Sequence, residues 1–151
     1  MTTTTLKEIL LVETTRPRVV EDCVQLVDSE VASKRGIAGL AVKGAYALVK
    51  KIRSGIIRDV VDGLLDEFVE RAEPFYAEFL GQKARPLEPY LTGRSEEVAN
   101  ALLGVTDGRA EKTTSRVIKK AYVKLRPTGL KHTAAAVPGL ARLISKYLPH
   151  A

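Results

Sequence analysis

Between residues 109 and 146 the chain carries ten basic side chains and one acidic one, Glu111. Arg109, Lys112, Arg116, Lys119, Lys120, Lys124 and Arg126 form the densest part of this run. On one helix they make a stripe able to touch several phosphates at once, each contact releasing counterion. The same stripe can lie on anionic lipid headgroups. Side chains suited to bond-making chemistry are scarce. His132 and His150 are the only histidines, and neither has a cysteine or carboxylate at the spacing of a metal set or a triad. Asp62, Asp66, Glu70 and Glu73 share a helical face, but bundle metal sites pair Glu with His on facing helices, and that pairing is missing. Gly36 and Gly39 make half a dinucleotide fingerprint with no strand before it, and there is no Gly-Lys-Ser/Thr phosphate loop. The expectation is a binding protein, not an enzyme, with no catalytic residue, metal or cofactor.

The elements that must position the basic run read as helices. The chain's centre is expected at residues 36–80, in two apolar runs, 37–53 and 56–73, hinged at Ser54 and Gly55. In the second run Ile56, Ile57, Val60, Val61, Leu64, Leu65, Phe68 and Val69 recur with the helical period. The other side is charged, with Arg58–Asp62 and Glu67–Arg71 placed to pair four residues apart. Pro74 should bend this helix, while Phe75, Tyr76, Phe79 and Leu80 stay in phase with Phe68. The first run is apolar nearly all round, with only Lys43, Ala47 and Lys50 on a narrow polar strip, so it should be mostly buried. Its glycines and alanines suit close packing of a neighbouring helix or, alternatively, a smooth wall for an apolar ligand.

Length and composition set the outer bounds. The 151 residues are expected to form one domain, residues 1–151, of six to eight helices, all-α, around the 36–79 hairpin. The single cysteine, Cys23, excludes an internal disulfide and reads as a small buried hydrophobe. The start lacks the basic region of a signal peptide, and no run reaches the eighteen or so apolar residues of a membrane span. A cytoplasmic location is expected. Net charge is +6 but uneven, with 13 basic and 14 acidic residues over 1–91 against 11 and 4 over 92–151. Such asymmetry points to an anionic partner for the second half.

Along the chain, residues 6–12 read as a short helix, 16–33 as a longer one capped at Thr15, and 81–89 as a loop with a helical turn near 87–91. Ser95 should cap the next helix, and Thr106 and Asp107 the one after it, running to Arg126 with Ala110, Thr114, Val117, Ile118, Ala121, Tyr122 and Leu125 inward. Pro127 and Pro138 should start or break further helices. Leu103, Gly104, Val105 and Thr106 fit the turn of a helix-turn-helix module, though Asn100, Ala110 and Thr113 depart from its pattern. No internal repeat is evident. Residues 6–12, 16–33, 56–79, 90–107 and 117–127 together resemble a family of small bacterial proteins of unknown function. That resemblance implies a bacterial cytoplasmic origin and an all-helical fold, and carries no site residues.

The leading functional expectation is a basic C-terminal half that contacts an anionic macromolecule, nucleic acid first. The alternatives are a lipid, apolar-ligand or membrane-surface protein using residues 37–53 with Phe68, Phe75, Tyr76 and Phe79, or a helical structural protein. An apolar stripe left uncovered on residues 36–79 would close a symmetric homodimer.

Overall fold

Residues 4–82 and 86–149, described by this computed structural model, form seven helices and no strand. They are α1 (Leu6–Leu10), α2 (Arg16–Ser33), α3 (Gly36–Ile52), α4 (Ile56–Leu80), α5 (Leu87–Thr92), α6 (Ser95–Lys112) and α7 (Arg116–Ser145). The all-α class follows the periodicity. α4 behaves as its pattern requires: Leu65, Val69 and Tyr76 are buried, and Pro74 sits inside one continuous helix without changing the buried face. α1 is closed by a full capping box between Thr5 and Glu8, and its Leu6 N–H donates to the Glu73 carboxylate on α4 at 2.7 Å.

The order of the helices repeats, which the sequence reading missed. A short helix, an 18-residue helix and a long helical segment occur twice. Laid on α2 without a gap, α6 puts Val98 on Val19, Ala99 on Val20 and Asp107 on Asp28. The first two pairs are buried in both copies. Leu87 and Leu91 of α5 match Leu6 and Leu10 of α1, all four buried. With Tyr122 placed on Tyr46, Lys119 falls on Lys43, Ala121 on Ala45, Val137 on Val61, Gly139 on Gly63 and Leu140 on Leu64. α1 packs on α4 as α5 packs on α7, and α2 meets α3 and α4 as α6 meets α7. The repeats share one core, in which Leu65 and Val69 of the first meet Val137 and Ile144 of the second.

Several expectations are overturned. α3 is not buried at the centre but lies at the periphery: Ile37, Leu40, Leu48 and Ile52 are 89, 70, 68 and 69% exposed. Its one buried residue is Gly39, where an added Cβ would come within 2.6 Å of the Lys34 backbone. An apolar stripe states which face can be buried; it does not supply a partner, and α2 and α4 already pack on the rest of the core. The expected helix 107–126 is also absent. α6 runs through to Lys112, and Ser115 caps α7 through its side chain, accepting from the Ile118 N–H. Leu103, Gly104, Val105 and Thr106 therefore lie inside a helix, not in a helix-turn-helix turn. Gly104 serves close approach: a Cβ there would stand 3.0 Å from the Arg71 guanidinium. Ser95, expected as a cap, is the first helical residue, preceded by Arg94. α7 runs through both Pro127 and Pro138. The charge pairs differ as well: Arg58 meets Glu21, and Glu67 meets Arg109.

The seating of α3 yields a paired test. Gly39→Ala should destabilise by roughly 1–3 kcal/mol, because the added methyl meets backbone that cannot rotate away. Gly44→Ala, with nothing within 4 Å, should stabilise by about 0.5–1 kcal/mol through helix propensity. Urea unfolding of the two variants measures both.

Candidate interaction surface

The seven basic residues singled out in the sequence do not form one stripe. Arg109 and Lys112 lie on α6, and Arg116, Lys119, Lys120, Lys124 and Arg126 on α7. Two of them are occupied. Arg109 pairs with Glu67 at 2.8 Å, and Arg126 grips Asp107 with Nε at 2.8 Å and Nη2 at 2.9 Å. A groove of about 630 Å³ beside Lys119 and Arg126 is also lined by Asp107 and Glu111, which repel an anion entering it. Two carboxylates set against two cations leave this groove without net positive charge, and a second pocket of about 600 Å³ likewise sets Glu67 and Glu70 beside Arg71, Arg109 and Lys112. Lys112, Arg116, Lys119, Lys120 and Lys124 remain exposed.

The side of α7 expected to face inward is mostly outside. Val117, Ile118 and Leu125 are 78, 56 and 61% exposed, and Val123, outside that expected face, is 73% exposed. Among the described residues, the side-chain hydrogen bonds from this half of the helix to α6 come from Tyr122 and Arg126. The Tyr122 hydroxyl donates to Asp107 and stands 2.9 Å from the Thr106 hydroxyl. Hydrogen bonds from Arg126 hold the Asp107 carboxyl below its usual range, although burial alone would raise it. Burial and the same carboxylate push the Tyr122 phenol up.

α3 is held in the same way by equivalent residues. Tyr46 donates to Asp28, and Lys50, one turn further on, stands 4.0 Å from that carboxylate. Burial and Asp28 raise the Tyr46 phenol. Each repeat thus has one carboxylate on its 18-residue helix that receives a tyrosine and a cation four residues later from the next helix. What the two helices present to solvent differs. Opposite Tyr46, α3 displays Leu40, Gly44 and Leu48; the matching positions of α7 are Arg116, Lys120 and Lys124. One helix is apolar outward and the other cationic outward, and neither contains an acidic residue: none occurs between Glu30 and Asp59, or after Glu111.

His132, on α7 just past its exposed half, is kept below its usual pKa by burial and by the charges of Lys34 and Lys131. His150 lies outside the described residues. The row Asp62, Asp66, Glu70 and Glu73 is not merely a solvated face: Arg16 bonds Asp62 at 3.1 Å and Asp66 at 2.7 Å. Among the described residues no group of histidine, cysteine or carboxylate side chains could hold a metal ion. No described helix is long and apolar enough to cross a membrane.

The tyrosine–aspartate tie was missed in the sequence, though its signal is present: Val42-Lys43-Gly44-Ala45-Tyr46 against Ile118-Lys119-Lys120-Ala121-Tyr122, each with a cation four residues after the tyrosine. Asp107→Asn tests its weight. Stability from this carboxylate is fully present above the ordinary Asp pKa of about 4 and is lost as pH falls through the lowered folded value. The variant should lose roughly 1–2 kcal/mol at pH 7 and show a smaller further loss between pH 5 and 3 than the parent, by chemical denaturation.

No curated protein and no solved structure matches the chain. A family model does, over residues 6–148, almost the whole length. The chain belongs to the family of unknown function DUF6918.

Proposed function

We propose that the protein is a non-enzymatic binder of anionic lipid surfaces, using α3 and the first half of α7. The observation that supports this most is the pairing of large exposed aliphatic side chains with lysines and arginines on two helices free of acidic residues. An interfacial helix needs an apolar face to enter the acyl boundary and cations for the headgroups. Ile37, Leu40, Leu48 and Ile52 offer the first, and Arg116, Lys120 and Lys124 the second. The anionic cytoplasmic leaflet is the surface of matching charge.

Two other partners fit less of this surface. Nucleic acid would use the lysines and the residues around them, Arg109, Lys112, Lys119 and Arg126 included, but would leave α3's aliphatic row without a role. A second copy of the chain would cover the apolar row of α3, yet these helices on two copies would set cation against cation.

Vesicle co-sedimentation decides. The protein should bind vesicles rich in phosphatidylglycerol, bind phosphatidylcholine vesicles far less, and release as salt rises. Each lysine near such a surface is worth about 1 kcal/mol, so Lys120→Glu with Lys124→Glu should lower affinity by at least about tenfold. Leu40→Asp with Leu48→Asp should do so at every salt concentration, and both double variants should stay folded because all four side chains are exposed. Failure to bind anionic vesicles at low salt overturns the proposal. Duplex DNA binding in its place would return the basic half to the nucleic-acid reading.

A further inference from the structure

The core between the two repeats holds a cavity of about 370 Å³ that is partly open to solvent. Helices of both repeats wall it, among them α2 with Cys23, α4 with Leu65 and Phe68, α6 with Leu102, and α7 with Val137 and Leu140. Of the residues the sequence offered for an apolar site, Phe68 lines it, while α3, Phe75, Tyr76 and Phe79 take no part in its wall.

Three properties decide what it can hold. Its size is within the range of small-molecule sites, which begins at roughly 300 Å³. Packed interiors rarely leave voids larger than a water molecule, and an apolar void costs stability in proportion to its volume. Its wall has almost no polar atom to offer. Its hydroxyls are those of Thr106 and Thr133, and that of Thr106 is already engaged by the Leu103 carbonyl at 3.0 Å and by Tyr122. Burial pushes the Cys23 thiol up to about 11, so at neutral pH it stays uncharged and behaves as part of the apolar wall. Water would find few partners in such a space, and a charged or hydroxylated head drawn inside would lose its own, so a head group stays at the open side and only a tail enters.

We infer that this cavity binds one aliphatic chain, of the class found in medium-chain fatty acids and alcohols, taken up by its tail. Wall positions come from equivalent places in the two repeats, Cys23 with Leu102 and Val61 with Val137, so the chain lies along their junction. The site is separate from the exposed faces of α3 and α7 and does not depend on membrane binding.

Cys23, the only cysteine, reports on the cavity directly. The full chain is titrated with decanoic acid and with decanol, which share a tail and differ in head. Both should raise the melting temperature progressively with ligand concentration and slow modification of Cys23 by a thiol reagent, by about tenfold at ten times the dissociation constant. Ala136→Leu and, separately, Thr133→Leu place added carbons in the cavity; a filled variant that folds should show neither effect. Leu40→Asp with Leu48→Asp, which removes the proposed membrane face, should retain both effects. No protection of Cys23 in the parent protein overturns the inference. So does protection that survives in the filled variants or disappears with the α3 variant, because the chain would then sit on the surface.

Discussion

Each repeat hangs its next helix on one carboxylate. Asp28 receives Tyr46 and Lys50 from α3; Asp107 receives Tyr122 and Arg126 from α7. These ties are polar and only partly buried, so the helix faces they anchor are set against the molecule, not sunk in it. The result is an α-bundle with two apolar-cationic helices on its outside. Burying either would require another layer of protein, and among the described residues α1, α2, α4, α5, α6 and the end of α7 are taken up in closing the core.

Repetition explains why one fold carries two different outer surfaces. Equivalent positions keep the residues that seat the helices, with Tyr46 and Tyr122 facing inward, and diverge where nothing packs. Leu40 and Leu48 stand against Arg116 and Lys124 at those places. Divergence at solvent-facing positions costs the core nothing, so one helix could become apolar and the other cationic without altering the bundle. The cavity follows from the same construction. Two similar helical units meet across a junction walled by Val61 and Val137, Phe68 and Ile144, and these side chains do not fill it.

The parts of the structure legible in the sequence were those fixed by local pattern. The period of Val61, Leu65, Phe68 and Val69 identified α4 and its buried face, and the charge imbalance after residue 92 marked the basic half. The burial of α3 was misjudged because periodicity reports a face and is silent on whether a neighbour exists to cover it. The boundary between α6 and α7 was misplaced because Gly104, Thr106 and Asp107 resemble a turn and a cap. Each has a tertiary role instead: room for Arg71, a hydrogen bond to Tyr122, and the anchor for Arg126. The repeat escaped notice because its identities are few and spaced by helical turns, and the segment between Asp28 and Tyr46 is longer than that between Asp107 and Tyr122. Of the site, the exposed lysines of α7 were visible, but their neighbours Val117, Ile118 and Leu125 were read as core, which hid the amphiphilic character of the surface.

The central claim is that α3 and the first half of α7 are uncovered in the protein alone and become covered at an anionic bilayer. Peptide-resolved hydrogen–deuterium exchange, with and without phosphatidylglycerol vesicles, tests it most directly. The account predicts new protection confined to Gly36–Ile52 and to residues 116–130, with α4 and the end of α7 unchanged. Protection spread evenly over the chain, or confined to α2, α4 or α6 while these two segments exchange as before, would contradict it.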